Sequence, residues 1–125
     1  MNKYLILIAK WLLALPLIVF GLNKFIGFAD MPPPSDETAQ MFLGAMFTSY
    51  LSKLVGLVEI IGGVLLLIPK TTFIGLLILS PIVANIAAFH VAHDFPGNGI
   101  WLLTFLTFAV VAYGQKDLFF KLTNQ

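Results

Sequence analysis

Residues 54–69 read LVGLVEIIGGVLLLIP, and fifteen of these sixteen residues are apolar, glycine or proline. A run of this kind is typical of a transmembrane helix, which needs about 20 apolar residues to cross the hydrocarbon core. The exception is Glu59. A carboxylate at mid-span costs about 2.5–3.5 kcal/mol on insertion scales, so it normally faces the protein interior and has a partner. The segment therefore predicts a membrane fold with a polar site inside it.

The composition of the whole chain agrees with this interpretation. Of its 125 residues, 59% are hydrophobic and only 10% are charged. Soluble domains carry about 25% charged residues, so this chain has too few charges to cover a surface that faces water. The net charge is +1 without a basic stripe, which argues against a nucleic-acid partner. The absence of cysteine excludes thiolate nucleophiles, iron–sulfur clusters and cysteine zinc sites.

Four apolar runs predict four membrane spans, at about 4–22, 51–69, 71–91 and 99–115. We expect an all-α fold, a four-helix transmembrane bundle that forms one domain over 1–125. Lys10 interrupts the apolar core of the first run, so we expect that run to be retained and not cleaved as a signal peptide.

The charged residues predict the orientation of the spans. One side of the predicted membrane carries four lysines, Lys3, Lys70, Lys116 and Lys121. The other side carries two lysines and four acidic residues, namely Lys24, Lys53, Asp30, Asp36, Glu37 and Asp94. The positive-inside rule then places both termini in the cytoplasm.

The first outer loop contains a predicted short helix at about 36–48. Ser35 is a good N-cap, and Asp36 and Glu37 suit the first turn. An apolar stripe at helical spacing makes this helix amphipathic; its members are Met41, Phe42, Ala45 and Met46. We expect the helix to lie on the outer membrane surface or to fold back as a lid over the bundle, although it would also be consistent with a longer second span.

Polar residues of three spans fall at similar depths when counted from the outer face. With a rise of about 1.5 Å per residue, Glu59 lies about 12 Å deep and Asn85 about 9 Å deep. Thr104 and Thr107 lie about 7 Å and 12 Å deep. Glycines on the face of Glu59 would let a neighbouring helix approach closely; these are Gly56, Gly62 and Gly63. We therefore expect a polar layer around Glu59 inside the bundle.

The sequence leaves the partner of Glu59 open. Lys24 is a cation on the outer side, but the predicted end of the first span places it about 15 Å shallower than Glu59. Lys10 is within about 6 Å of the depth of Glu59 and competes with it. A neutral Glu59 that donates a hydrogen bond to Asn85 or to a bound molecule is the third alternative.

Two histidines lie above this layer, and the sequence favours an interfacial role for them. His90 and His93 share a helix face, where water or lipid headgroups can satisfy them. With Asp94 they would form an incomplete metal site, because no other helix offers a fourth ligand, so we predict no metal site. The chain has no phosphate loop, no Ser-His-Asp arrangement and no paired carboxylates within the spans, so we predict no catalytic residues. The predicted ligand-binding residues are Glu59, Asn85, Thr107, Thr104, Lys24, His90 and Trp101.

Three segments, GLNKFIGF (21–28), EIIGGVLLLIPKTT (59–72) and ANIAAFHVAHD (84–94), resemble the DoxX family of small bacterial integral membrane proteins. That pattern has a Gly-x-x-Lys at the end of span one, a Glu before a glycine pair in span two, and a histidine in an alanine-rich end of span three. The corresponding residues are Gly21, Lys24, Glu59, Gly62, Gly63, Ala87 and His90. The resemblance covers nearly the whole chain with short motifs.

The resemblance implies a four-helix bundle in the bacterial cytoplasmic membrane and an association with redox systems. The family is named for a subunit of a thiosulfate:quinone oxidoreductase, and other members are linked to membrane-bound oxidoreductase complexes in oxidative-stress defence. Because this chain lacks cysteine and is shorter than the thiosulfate-oxidising members, we expect neither a thiol relay nor thiosulfate oxidation.

Three functional hypotheses follow from these observations. The first is a non-catalytic membrane subunit or accessory of an oxidoreductase, which binds a quinone-like lipophile near Glu59 while partner subunits supply electrons. The second is a structural membrane anchor in which Glu59 stabilises helix packing without a ligand. The third is a subunit of an oligomeric small-molecule transporter, because a polar pocket open to one side resembles half of an alternating-access cycle.

Overall fold

The computed structural model describes residues 2–30, 33–97 and 99–124, which are helical and contain no strand. Its helices are α1 (Lys3–Ile26), α2 (Glu37–Thr48), α3 (Leu51–Leu67), α4 (Thr72–His93), α5 (Ile100–Gly114) and α6 (Lys116–Thr123). A single 3-10 turn, Pro69–Thr71, joins α3 to α4. The prediction of an all-α fold is confirmed.

Four of the helices pack side by side in the order α1, α3, α4, α5, and α5 also contacts α1. Helices α1 and α3 are antiparallel, because Gly21 lies against Gly56 at the start of α3 while Ala14 lies against Gly63 near its end. A cluster of buried apolar side chains fills the space between the helices. Its members are Ala9, Leu13, Ala14, Leu17, Leu66, Leu76, Leu79, Val83 and Val111.

The helices are apolar on their outer faces as well. Helix α1 and the segment Pro69–His93 are each long and apolar enough to cross a membrane. The number rises to four if α2 with α3, bent by 80°, and α5 with α6, bent by 65°, each count as one span. Many large apolar side chains on these helices are exposed, which is the surface that a lipid environment requires. Two to four apolar helices of this kind indicate a membrane protein.

The two ends of these helices differ in charge. One end, here called the acidic end, carries Asp30, Asp36, Glu37 and Asp94 together with Lys24 and Lys53. The opposite end, here called the basic end, carries Lys3, Lys70, Lys116 and Lys121 together with Asp117.

Helix α1 continues to Ile26 and does not stop at the predicted position 22. It ends where Gly27 adopts a left-handed conformation with φ of 71°, and the Gly27 N–H donates to the Asn23 carbonyl oxygen over 2.8 Å. Glycine suits this C-cap because it has no Cβ to oppose a positive φ. The extension places Lys24 on the last turn of α1, so its side chain takes a fixed direction.

The N-cap of α2 is Asp36, one residue after the predicted Ser35. The Asp36 carboxylate accepts a hydrogen bond from the Ala39 N–H over 3.0 Å, and Glu37 begins the helix. Helix α2 contacts α3 and α4, and it turns by 80° from the axis of α3. It therefore does not extend the second predicted span in a straight line.

We expect Asp36→Ala to loosen the first turn of α2, because the Ala39 N–H loses its acceptor. Removal of such a cap costs about 1 kcal/mol, which corresponds to roughly five-fold faster hydrogen exchange in that turn. Ser35→Ala should leave the exchange unchanged. His93 Nδ1 also lies 3.3 Å from Asp36 Oδ2. His93→Gln is therefore the second control, because it removes this ion pair while the cap stays in place. Equal effects of the Ser35 and Asp36 substitutions would contradict the assignment of the cap.

Candidate ligand-binding site

Lys24 is the partner of Glu59. Its Nζ lies 2.7 Å from Glu59 Oε1. The Glu59 side chain is only 2% exposed and the Lys24 side chain 13% exposed, so water reaches the pair only from the lysine side. Of the alternatives left open by the sequence, the structure therefore has a direct ion pair between α1 and α3.

Two glycines bring the backbones of α1 and α3 close enough for this pair. A Cβ at Gly21 would lie 2.6 Å from the Gly56 carbonyl oxygen, and a Cβ at Gly56 would lie 3.1 Å from Lys24 Cβ. Lys24 and Glu59 each follow one of these glycines by three residues, so the antiparallel helices present them to each other.

The close approach corrects the expected depth of Lys24. Its Cβ lies beside Gly56, which is three residues, about 4.5 Å, from Glu59 along α3. The expected separation of about 15 Å assumed that α1 ends before Lys24. A lysine side chain spans one turn easily, so the pair forms without distortion of either helix.

A cleft of about 380 Å³ opens beside Lys24 at the acidic end. Its lining residues are Phe20, Asn23, Lys24, Gly27, Ala29, Asp30 and Phe47. Both polar atoms of the Asn23 amide are occupied, since its Nδ2 donates to the Ala29 carbonyl oxygen and its Oδ1 accepts from the Ala29 N–H, each over 2.9 Å. With the Asn23 amide used in this way, the polar side chains of the lining that remain available to a bound molecule are those of Lys24 and Asp30.

The Lys24 ammonium can act as a hydrogen-bond donor toward the cleft. An ammonium group has three N–H donors and no acceptor. The ammonium is paired with Glu59 Oε1, and the described residues provide Lys24 with no second polar partner. The carboxylate fixes the lysine in position, and the remaining donors can serve an acceptor in the cleft.

Among the described residues, Asn85, Thr104 and Thr107 make no hydrogen bond to Glu59. Asn85 lies on an exposed face of α4. The Thr104 and Thr107 hydroxyls are buried on α5, but they donate to carbonyl oxygens of their own helix, at Ile100 and Leu103. Within the described ranges, no Cα atom of α5 comes within 8 Å of a Cα atom of α3. Similar depth along parallel axes does not fix the direction in which a side chain points.

His90 and Trp101 belong to a separate aromatic cluster at the acidic end. The His90 ring stacks on Trp101 with 5.6 Å between centroids and 10° between planes. Trp101 Nε1 donates to the Pro96 carbonyl oxygen over 2.7 Å, and Phe89 packs on Phe42 of α2. None of these residues lines the cleft. The cluster joins the middle of α2 to the end of α4 and the start of α5.

The histidines have acidic neighbours but no metal-ligand geometry. His90 Nδ1 lies 3.3 Å from Asp94 Oδ2, and His93 pairs with Asp36 on α2. Among the residues that the structure describes, no three His, Asp or Glu side chains converge closely enough to hold a metal ion. Each histidine instead faces one carboxylate at the ends of the helices.

The sequence did not single out four of the residues that line the cleft beside Lys24. These are Phe20, Asn23, Asp30 and Phe47. The sequence signal that could have located the site is the repeated spacing of Gly21 with Lys24 and of Gly56 with Glu59. Two such glycines on neighbouring spans predict both the close approach and the residues that follow it.

In comparisons with known proteins, no family model, no curated protein and no solved structure matches the chain. Gly21 and Lys24 of α1 contact Gly56 and Glu59 of α3, and Gly62 packs on Leu79 of α4.

Proposed function

We propose that this chain is a DoxX-like integral membrane protein whose outer cleft holds the head of a quinone-like lipophile. In this proposal α1, α3, α4 and α5 form a four-helix transmembrane bundle in the bacterial cytoplasmic membrane. The basic end, with both termini, faces the cytoplasm, in accordance with the positive-inside rule. The amphipathic helix α2 lies at the outer surface, and the protein is a non-catalytic subunit of an oxidoreductase system.

The observation that carries this proposal is the cation beside the cleft. Lys24 lines a volume of about 380 Å³ while Glu59, 2% exposed, holds its Nζ at 2.7 Å. An ionisable pair inside a membrane-spanning region costs free energy and generally marks a functional site. Phe20 and Phe47 add aromatic surface to the same cleft.

The charges in the cleft favour a neutral ligand that accepts hydrogen bonds. Glu59 neutralises Lys24, and Asp30 adds a negative charge to the lining, so an anion gains little by binding here. A quinone carbonyl oxygen is a neutral acceptor, and its ring can pack on Phe20 and Phe47. The isoprenoid tail would leave the cleft toward the surrounding lipid.

The roles of the two paired residues differ in this proposal. The sequence alone suggested that Glu59 contacts the ligand, whereas its burial and ion pair make it a positioning residue for Lys24. Lys24 is the residue that would touch the ligand. Partner proteins would supply the electrons, and no residue of this chain is assigned a catalytic step.

We expect wild-type protein purified in mild detergent to retain quinone, and Lys24→Met to lose it by at least about ten-fold. A hydrogen bond from a charged donor contributes about 1.5–3 kcal/mol, which accounts for a loss of this size. Solvent extraction and mass spectrometry measure the bound quinone. Lys53→Met is the matched control, because Lys53 is an exposed lysine that, like Lys24, lies at the acidic end of the helices. A wild-type protein that carries only bulk phospholipid would refute the proposal.

A structural anchor is the second candidate, because the glycine contacts of α1 and α3 would favour a pair that serves packing alone. The exchanged variant Lys24→Glu with Glu59→Lys distinguishes the two functions. It rebuilds the ion pair but moves the ammonium from the cleft to the buried position. A ligand role predicts restored stability without quinone, whereas an anchor predicts restored stability and a quinone content that none of the variants changes.

A further inference from the structure

A second cavity lies at the basic end, between α4, α5 and α6. It has a volume of about 460 Å³. Its apolar walls include Phe73 and Leu77 of α4, Phe108 and Ala109 of α5, and Phe119 of α6. We call this cavity the inner groove. None of its residues belongs to the Lys24 site.

The fold creates the inner groove through a bend and small side chains. The chain turns by 65° between α5 and α6, so α6 crosses the end of the space between α4 and α5. Ala109 and Ala112 of α5 leave that space unfilled. The Ser80 hydroxyl in its wall donates to the Leu77 carbonyl oxygen over 2.9 Å, so its proton is already used. The groove therefore suits a hydrocarbon chain.

The mouth of the inner groove is polar and cationic. Lys116 Nζ donates to the Tyr113 hydroxyl over 3.0 Å and lies 4.2 Å from the centre of the Tyr113 ring. Gln115 lines the same mouth. Lys70 and Lys121 add positive charge to the basic end, and the acid there is Asp117. A negative group at the mouth would be attracted to Lys116.

Helix α6 has the character of a helix that lies in a membrane interface. Four of its eight residues are large, exposed and apolar: Leu118, Phe119, Phe120 and Leu122. Lys116 and Lys121 flank three of these residues, and such a mixture of lysine with large apolar side chains is the composition of an interfacial segment. Lys116 and the groove mouth therefore lie at the level of lipid headgroups.

We infer that the inner groove binds one anionic phospholipid, with an acyl chain against the apolar walls and the phosphate at Lys116. The apolar walls explain why the occupant has a hydrocarbon chain, and the cation explains why its headgroup is negative. A free phosphate ion would use only the mouth, where Tyr113 already occupies one donor of the lysine. The inference does not depend on the proposed quinone site, which lies at the opposite end of the helices.

Headgroup charge should determine the selectivity of the inner groove. An acyl chain that enters the groove moves from the apolar interior of the lipid to an equally apolar protein surface, so this transfer contributes little to the free energy of binding. One lysine near an anionic headgroup produces a preference of about five-fold. We therefore expect wild-type protein in mixed micelles of phosphatidylglycerol and phosphatidylcholine to retain about five times more phosphatidylglycerol.

Native mass spectrometry of these mixtures measures the retained lipid. Lys116→Gln should abolish the preference for phosphatidylglycerol. Lys70→Gln is the control and should preserve it, because this substitution removes the same charge from the basic end at a residue that does not line the groove. Ala109→Phe, at an exposed wall position, should reduce the retention of both lipids by filling the groove. Equal loss in the Lys70 and Lys116 variants would overturn the inference, as would wild-type protein that retains both lipids equally.

Discussion

Lys24→Met should lower the free energy of unfolding by about 3–5 kcal/mol, which is the usual cost of removing one partner from a buried ion pair. The substitution leaves the Glu59 carboxylate, 2% exposed, without its cation. Glu59→Leu should cost less, about 1–3 kcal/mol. In that variant Lys24 keeps its 13% exposure, and its ammonium can turn into the cleft that it lines.

The double variant Lys24→Met with Glu59→Leu tests whether these losses come from the pair. Replacing both partners by apolar residues removes the unpaired charge, so the double variant should be more stable than Lys24→Met alone. Steric-trap or detergent-titration unfolding in bicelles measures all three free energies, with Lys53→Met as the exposed control. Additive losses in the double variant would show that Lys24 and Glu59 act independently.

Stability and ligand content separate the roles of this pair. If the pair only holds α1 against α3, the protein should contain no ligand, and any pair of substitutions that restores the packing should restore the full stability. A pair that presents Lys24 to the cleft predicts that the double variant regains stability but holds no quinone. The two measurements on one set of variants therefore test the fold and the proposed function independently.

The sequence predicted those features that depend on local chemistry. Hydropathy predicted the helices, because a backbone in hydrocarbon must satisfy its own hydrogen bonds. The burial of Glu59 was also predictable, since an acid within an apolar span faces the protein and Gly56 and Gly63 lie on the same face. The structure has Glu59 buried among these glycines.

Features that depend on direction around a helix axis were less predictable. Counting residues gave similar depths for Asn85, Thr107 and Glu59, yet Asn85 is exposed and Thr107 bonds to its own helix. A threonine hydroxyl can always use the carbonyl oxygen one turn earlier, so its presence in a span does not imply a partner on another helix. Depth alone could not predict a polar layer.

The partner of Glu59 depended on a helix end that hydropathy places poorly. Asn23 and Lys24 are polar, so the apolar run in the sequence ends at Leu22. The structural end is set by the left-handed Gly27 and by the Asn23 carbonyl oxygen that its N–H reaches. The cleft and the inner groove were beyond sequence reasoning, because each is formed by elements that meet only in the folded chain.

The contact between Gly21 and Gly56 is the packing feature on which the ion pair depends. A Cβ at Gly21 would lie 2.6 Å from the Gly56 carbonyl oxygen and 2.7 Å from Ile60 Cγ1. The isoleucine side chain can move, but the carbonyl oxygen belongs to the backbone of α3. Gly21→Ala therefore has to separate the two helices or shift one along the other.

We expect Gly21→Ala to cost about 1–3 kcal/mol through overpacking, in addition to part of the ion pair, because separated helices no longer hold Lys24 against Glu59. Gly44→Ala on α2 is the control: its Cβ would meet no atom within 4 Å, so helix propensity should stabilise that variant by up to about 1 kcal/mol. Unfolding in bicelles measures both changes. If the close approach serves the ion pair, Gly21→Ala should cost less in the background that lacks both Lys24 and Glu59 than in wild type. An equal cost in the two backgrounds would mean that the glycines pack the helices without supporting the pair.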